Sequence, residues 1–216
     1  METKKINIKG FEIEVQKETA ELYERFSSFS NCFIKPEIFS ELIVKVFNLT
    51  YLKDLGSYYN KEKVGRSNWT QHTANTFLRT CQMVNLACDF EVENRHDGAV
   101  RDYENNVYLC AEWEYDTNTV FKPKGEIIKL AKTCKKYKNC DALLFTYTID
   151  YDYKSFCEKV FNLWNEELNK SKRDFVLYLV TALIRKDDAE KMRYVYGLRT
   201  VVIGKQSIEI WEDEHL

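Results

Sequence analysis

The sequence predicts an α/β domain built on a mixed sheet with helices on both sides, and three observations predict it. After a short N-terminal alternating stretch come helix-period segments, then a block of three strand-like segments, then helix and strand segments. The run DALLFTYTI at 141–149 is of strand length and mostly apolar, as a strand covered on both faces must be. Two prolines and seven glycines in 216 residues leave no room for a long flexible linker, so the expectation is a single domain over 1–216.

The elements follow in order. KKINIKGFEIEVQ (4–16) alternates apolar and polar residues around Gly10, as a two-strand hairpin does. KETAELYERFSSFSN (17–31) reads as a short helix. In the segment 35–60, Ile38, Leu42, Val46 and Phe47 have helical spacing, and Pro36 suits a helix start. After a polar loop at 60–67, residues 67–88 form the next helix, with Ala74, Phe77, Leu78, Cys81 and Val84 as its apolar stripe and Ser67 or Asn68 as its cap. DFEVEN (89–94) is a short strand. HDGAVRD (96–102), the turn YENN and VYLCAEWEYD (107–116) make a hairpin. Residues 123–137 form an amphipathic helix with Ile127, Leu130, Ala131 and Cys134 facing the core. A further amphipathic helix (151–172) and three strands (174–186, 191–204 and 206–213) complete the chain.

The balance of 44% hydrophobic and 31% charged residues is that of a soluble globular protein. The net charge of −2 shows no basic excess, so composition alone carries no claim of nucleic-acid binding, although 32 Lys and Arg can cluster on one face. Seven cysteines stand at 32, 81, 88, 110, 134, 140 and 157, with no CxxC pair and three histidines in the chain. That spacing does not match a conventional zinc site. Most are read as small buried hydrophobes in a reducing compartment, with Cys134 and Cys140 the pair to test for a bridge. The N-terminus is polar and alternating, and no apolar run approaches the ~18–20 residues of a membrane span. The expectation is a cytoplasmic protein with no membrane partner.

The chemistry concentrates in RHDGAVRDYENNVYLCAEWEYD (95–116). Residues two apart on a strand share a face, so Glu112 and Glu114 project together, with Ala111, Trp113 and Tyr115 opposite. Asp97 falls near them on the adjacent strand if the hairpin pairs as read. Carboxylates gathered at one sheet edge repel unless one is protonated or a cation sits between them. A hard divalent ion resolves this, since Mg²⁺ takes one or two carboxylates and keeps waters or substrate oxygens.

An Asp at a strand start, a turn, and an acidic-x-acidic triplet on the next strand resemble the PD-(D/E)XK nuclease superfamily, which includes restriction endonucleases, junction resolvases and virus-encoded nucleases. The flanking αβββαβ order, over roughly residues 67–150, is similar to that superfamily's core. The resemblance implies a restriction-endonuclease-like core with N-terminal helical and C-terminal strand additions. It implies Asp97 and Glu112 as metal ligands for Mg²⁺ or Mn²⁺. Glu114 stands where the family usually has Lys, a variant that some restriction enzymes share. Either Glu114 acts as base or the attacking water relies on the ion. Lys129, i+3 from Glu126 on the following helix, offers a replacement for the strand lysine and a partner for the pentacovalent oxyanion. His96 replaces the proline that often precedes the Asp.

These features imply a metal-dependent DNA endonuclease, structure-specific in the manner of resolvases and working as a homodimer because two strands need two sites. Its size and its Tyr, Lys and Cys content resemble those of archaeal virus proteins. The alternatives are a catalytically inactive nucleic-acid-binding or assembly protein on the same fold, or an α/β interaction module whose hairpin happens to be acidic. His96 is read either as a phosphate or metal contact or as a packing residue, and Asp102 as a substitute for Asp97 or a turn residue. Lys132, Lys135, Lys136 and Lys138 are read either as a solvated helix face or as a track for phosphates. Gly98 marks a bulge, a close approach of substrate or a plain turn.

Overall fold

The computed structural model describes residues 2–8, 11–27, 36–58, 66–91, 95–101, 106–149, 152–187, 192–204, 207–211 and 214–215. Cys32 and Asp102 lie outside them. The N-terminal hairpin forms as expected, with β1 (Thr3–Ile8) antiparallel to β2 (Phe11–Gln16) as a separate two-stranded sheet. Three helices follow: α1 (Lys17–Ser27), α2 (Pro36–Tyr58) and α3 (Arg66–Met83). Then come β3 (Ala87–Asp89), β4 (Gly98–Arg101), β5 (Val107–Glu114), the short α4 (Thr117–Val120) and α5 (Glu126–Lys136). The chain ends with β6 (Asp141–Ile149), α6 (Tyr153–Asn169), β7 (Leu177–Asp187), β8 (Met192–Gly204), β9 (Ser207–Ile210) and β10 (Glu214–His215).

The second sheet has eight strands in the order β10-β8-β7-β6-β5-β4-β3, with β9 also on β8. It is mixed: β5, β6 and β7 run parallel, and the remaining pairs are antiparallel. The parallel strands sit in the middle, where helices cover both faces and their apolar sequences are buried. On one face, α2 and α3 pack Phe47, Tyr51 and Phe77 against Leu109, Leu143 and Phe145. On the other, α5 and α6 pack Leu130, Cys134 and Trp164 against Cys110, Ala142 and Leu144. A third cluster joins the hairpin to the back of α2 through Ile13, Val15, Leu42 and Val46. So α2 is apolar almost all round because it is covered on two sides, and Asn48 Nδ2 donates to Thr200 Oγ1 of β8 at 2.8 Å. Among the described residues, no helix is long and apolar enough to cross a membrane.

Several expectations are revised. The helix expected to reach Cys88 stops at Met83, because Asn85 takes a left-handed φ of 59°. Leu86 N–H then bonds Cys81 O at 2.9 Å and Asn85 N–H bonds Gln82 O at 3.3 Å, which is the Schellman stop. That early stop moves the next strand back to 87–89 from the expected 89–94. Ser67 and Asn68 lie inside the first turn of α3 rather than capping it. The expected strand at 206–213 is met by β9, a further short strand, β10, follows it and also pairs with β8, and residues 117–120 after β5 form α4, capped by the Asp116 side chain accepting from Asn118 N–H.

Candidate functional site

The site is built where β4 begins beside the end of β5. Gly98 pairs with Ala111, so Asp97 and Glu112, each one residue further on, are neighbours across the antiparallel pair. Asp97 does not project freely: its Oδ2 accepts Trp113 N–H at 2.9 Å, which fixes the carboxylate at the strand edge. The close fit there explains Gly98. A Cβ on it would stand 2.6 Å from Phe77 Cε1 and 3.2 Å from the Trp113 ring, so packing of α3 and β5, not a turn, demands the glycine.

Glu112 lies on the face of β5 that looks toward α5 and is 2% exposed. Its Oε1 meets Lys129 Nζ of α5 at 2.6 Å and His96 Nδ1 at 2.5 Å. The buried His96 continues through Nε2 to Thr133 Oγ1 at 2.7 Å, so a line of contacts runs from β5 through the β4 entry to α5. Lys129 also donates to Arg95 O at 2.6 Å and approaches Glu126 Oε2 at 3.5 Å. Arg95 itself has a φ of 61°, a left-handed conformation for a residue with a side chain, next to the two residues that make the site.

Burial, with the charge of Asp97 added, pushes the Glu112 carboxyl up to about 10, against the pull of Lys129. Burial likewise raises Asp97, partly offset by the Trp113 N–H and by Lys129. Burial works against the Lys129 ammonium, but the hydrogen bond and charge of Glu112, then Glu126 and Asp97, outweigh it and raise its pKa. A neutral Glu112 and a Lys129 strengthened by a Glu112 charge are not fully compatible. The enclosure of Glu112 decides for the neutral acid, and Glu126 and Asp97 still favour the ammonium.

Asp97, Glu112 and Lys129 are thus brought together, but Glu114 is not. It shares the face of Glu112, yet β5 ends there and the chain turns, so Glu114 Oε1 accepts Asp116 N–H at 2.9 Å. Among the described residues, Asp97, Glu112 and Glu114 do not form a set of three donors within 4.8 Å of one another. The expected meeting of three carboxylates is reduced to two. The lysine run also divides. Lys135 is tied to Glu167 of α6 at 2.6 Å and Lys136 lies over the Tyr137 ring, whereas Lys132 and Lys138 are exposed. Sequence reasoning missed Thr133, and left open that His96 would be a buried link. It also missed that Cys134 and Cys140, unbridged, stand with Cys110.

Asp97 and Glu112 offer hard oxygen donors, the kind that Mg²⁺ or Mn²⁺ takes, but Glu112 is almost wholly enclosed. No protein-family model and no curated protein matches this chain. Among solved structures, it is similar to the YaeQ protein from Xanthomonas axonopodis pv. citri, at 8% sequence identity over 95% of this chain and 86% of that one, with a TM-score of 0.27. A score that low says nothing about a shared fold or a shared activity.

Proposed function

We propose that this chain is a Mg²⁺- or Mn²⁺-dependent DNA endonuclease, carried by one restriction-endonuclease-like domain over 1–216 with α3, β3, β4, β5, α5 and β6 as its core. The observation that carries the reading is the 2.6 Å contact of Lys129 with Glu112, beside Asp97 at the next cross-strand position. Asp97 and Glu112 are the ligands in this reading. When bound, the ion would activate water and neutralise charge on the phosphoryl oxygens. Lys129 reaches the site from α5 instead of from the strand, and its ammonium is placed to meet the developing oxyanion. His96 holds Glu112 in orientation, and Glu114 takes no part in the ligand set. A homodimer supplies one site to each DNA strand.

A second reading is an inactive DNA-binding protein on the same fold. It is favoured by the enclosure of Glu112, whose Oε1 is already taken by His96 and Lys129. The test is a panel of labelled duplex, junction, flap and single-stranded DNAs with Mn²⁺ or Mg²⁺. Cleavage that disappears in both Glu112→Gln and Lys129→Met supports the endonuclease. Binding in Ca²⁺ without cleavage in Mn²⁺ supports the second reading. Neither cleavage nor binding at low salt overturns both.

A further inference from the structure

Two residues upstream of Glu112, on the same face of β5, Cys110 meets Cys134 of α5 and Cys140 at the entry to β6. The three Sγ atoms lie within 4.8 Å of one another, and those of Cys110 and Cys134 are 3.9 Å apart. All three residues are buried, and none is in a disulfide. Filling a core with thiols as small hydrophobes does not require three of them, from three separate elements, to converge. Sulfurs that share one ion at about 2.3 Å stand roughly 3.8–4.0 Å apart, so Cys110 and Cys134 already have that spacing. The Asp141 carbonyl accepts from both Cys110 Sγ at 3.5 Å and Cys140 Sγ at 3.4 Å, so an oxygen flanks the sulfurs.

We propose that Cys110, Cys134 and Cys140 form a binding site for one thiophilic d¹⁰ ion, Zn²⁺ or Cu⁺. The soft ligand set separates it from the carboxylate site, because thiolates do not favour Mg²⁺ or Mn²⁺. Cu⁺ is satisfied by three sulfurs, whereas Zn²⁺ gains its fourth ligand from the Asp141 oxygen. Zn²⁺ with three thiolates leaves one net negative charge, and one retained thiol proton brings the site to neutrality. The ion would tie α5 to β5 and β6. Thr133, which holds His96, directly precedes Cys134, so such a brace would sit immediately behind Glu112 and Lys129.

The test uses the full chain, freed of metal under reducing, oxygen-free conditions and titrated with Zn²⁺, Cu⁺ and, as a spectroscopic probe, Co²⁺. With excess Mg²⁺ present to occupy the carboxylates, the expected result is one tightly held ion per chain and an intense sulfur-to-cobalt charge-transfer band. Both survive in Glu112→Gln, which removes a carboxylate and no thiol, and in Cys157→Ala, which removes a thiol elsewhere. Both are lost in Cys134→Ala, with a cooperative melt showing that this variant is folded. Should it not fold, the band in the unaltered protein decides. Absence of that band, its persistence in folded Cys134→Ala, or its loss in Glu112→Gln overturns the proposal.

Discussion

Replacing Glu112 with Gln should make the metal-free protein more stable at neutral pH. An ordinary glutamic acid ionises near 4.5, whereas burial and the Asp97 charge push Glu112 up to about 10. Its folded form therefore keeps a proton that the unfolded chain gives up. Stability from this group is complete below the ordinary value and is lost as pH rises from there through the folded value. Each pH unit in that window removes about 1.4 kcal/mol, so raising the pH from about 5 to about 7 costs roughly 2–3 kcal/mol. Gln keeps the shape of the neutral acid and has no proton to lose. Denaturant unfolding with chelator present, followed by circular dichroism across this range, should show the two proteins converging near the acid end. At neutral pH the variant should lead by about 3 kcal/mol, a gap worth roughly 6–12 °C in melting temperature at this chain length. A variant less stable than the original at neutral pH, with a gap that does not change with pH, would mean Glu112 is ionised against Lys129 and would refute the reasoning. The same proton must leave before a dication binds, so the affinity for Mn²⁺ in the unaltered protein should rise with pH over this window.

Lys129→Met should lower the rate of DNA cleavage by about 10²–10³ while leaving DNA affinity in Ca²⁺ nearly unchanged, as single-turnover kinetics and gel shift would show. A rate within a factor of a few of the original would remove Lys129 from the chemistry. His96→Ala strips partners from both Glu112 Oε1 and Thr133 Oγ1 in a buried setting and should cost about 2–4 kcal/mol in denaturant unfolding. A loss well under 1 kcal/mol would count against the linkage. Gly98→Ala forces a methyl against Phe77 and Trp113 and should cost about 1–3 kcal/mol. Phe77→Leu in the same chain should restore part of it, and no restoration would place the strain elsewhere.

Much of the fold was legible because its segments obey one period at a time. The apolar run of β6 and the stripe of Ile127, Leu130, Ala131 and Cys134 on α5 are buried as their spacing requires. The end of α3 was not legible, because an Asn in the left-handed region looks in sequence like any polar helix residue. The same limit applies to Glu114. Alternation tells which face a residue takes but not where the strand ends, and a side chain at the last position folds back on the turn that follows. Strand alternation put Asp97 and Glu112 at one sheet edge, whereas Lys129 was singled out through the family resemblance, and the contact that joins it to Glu112 is made by packing of α5 on β5. His96 gave no such signal, for its role depends on being enclosed by α5. Of the thiol cluster, the nearby pair Cys134 and Cys140 was visible, but Cys110 joins it only through the packing of α5 on β5, which no local spacing announces.

The bond between Asn48 and Thr200 joins residues 152 positions apart, and α2 also rests on the N-terminal hairpin. This helix thus has one side that its local neighbours can cover at once and another whose cover comes from strands much further along the chain. Closing so long a loop is slow because its entropy is spent before the contact repays it. The flank of α2 that faces the sheet rests on β5 and β6 as well, so its cover is assembled strand by strand, and a part-made sheet leaves some of it open to water, where a chaperone has something to hold.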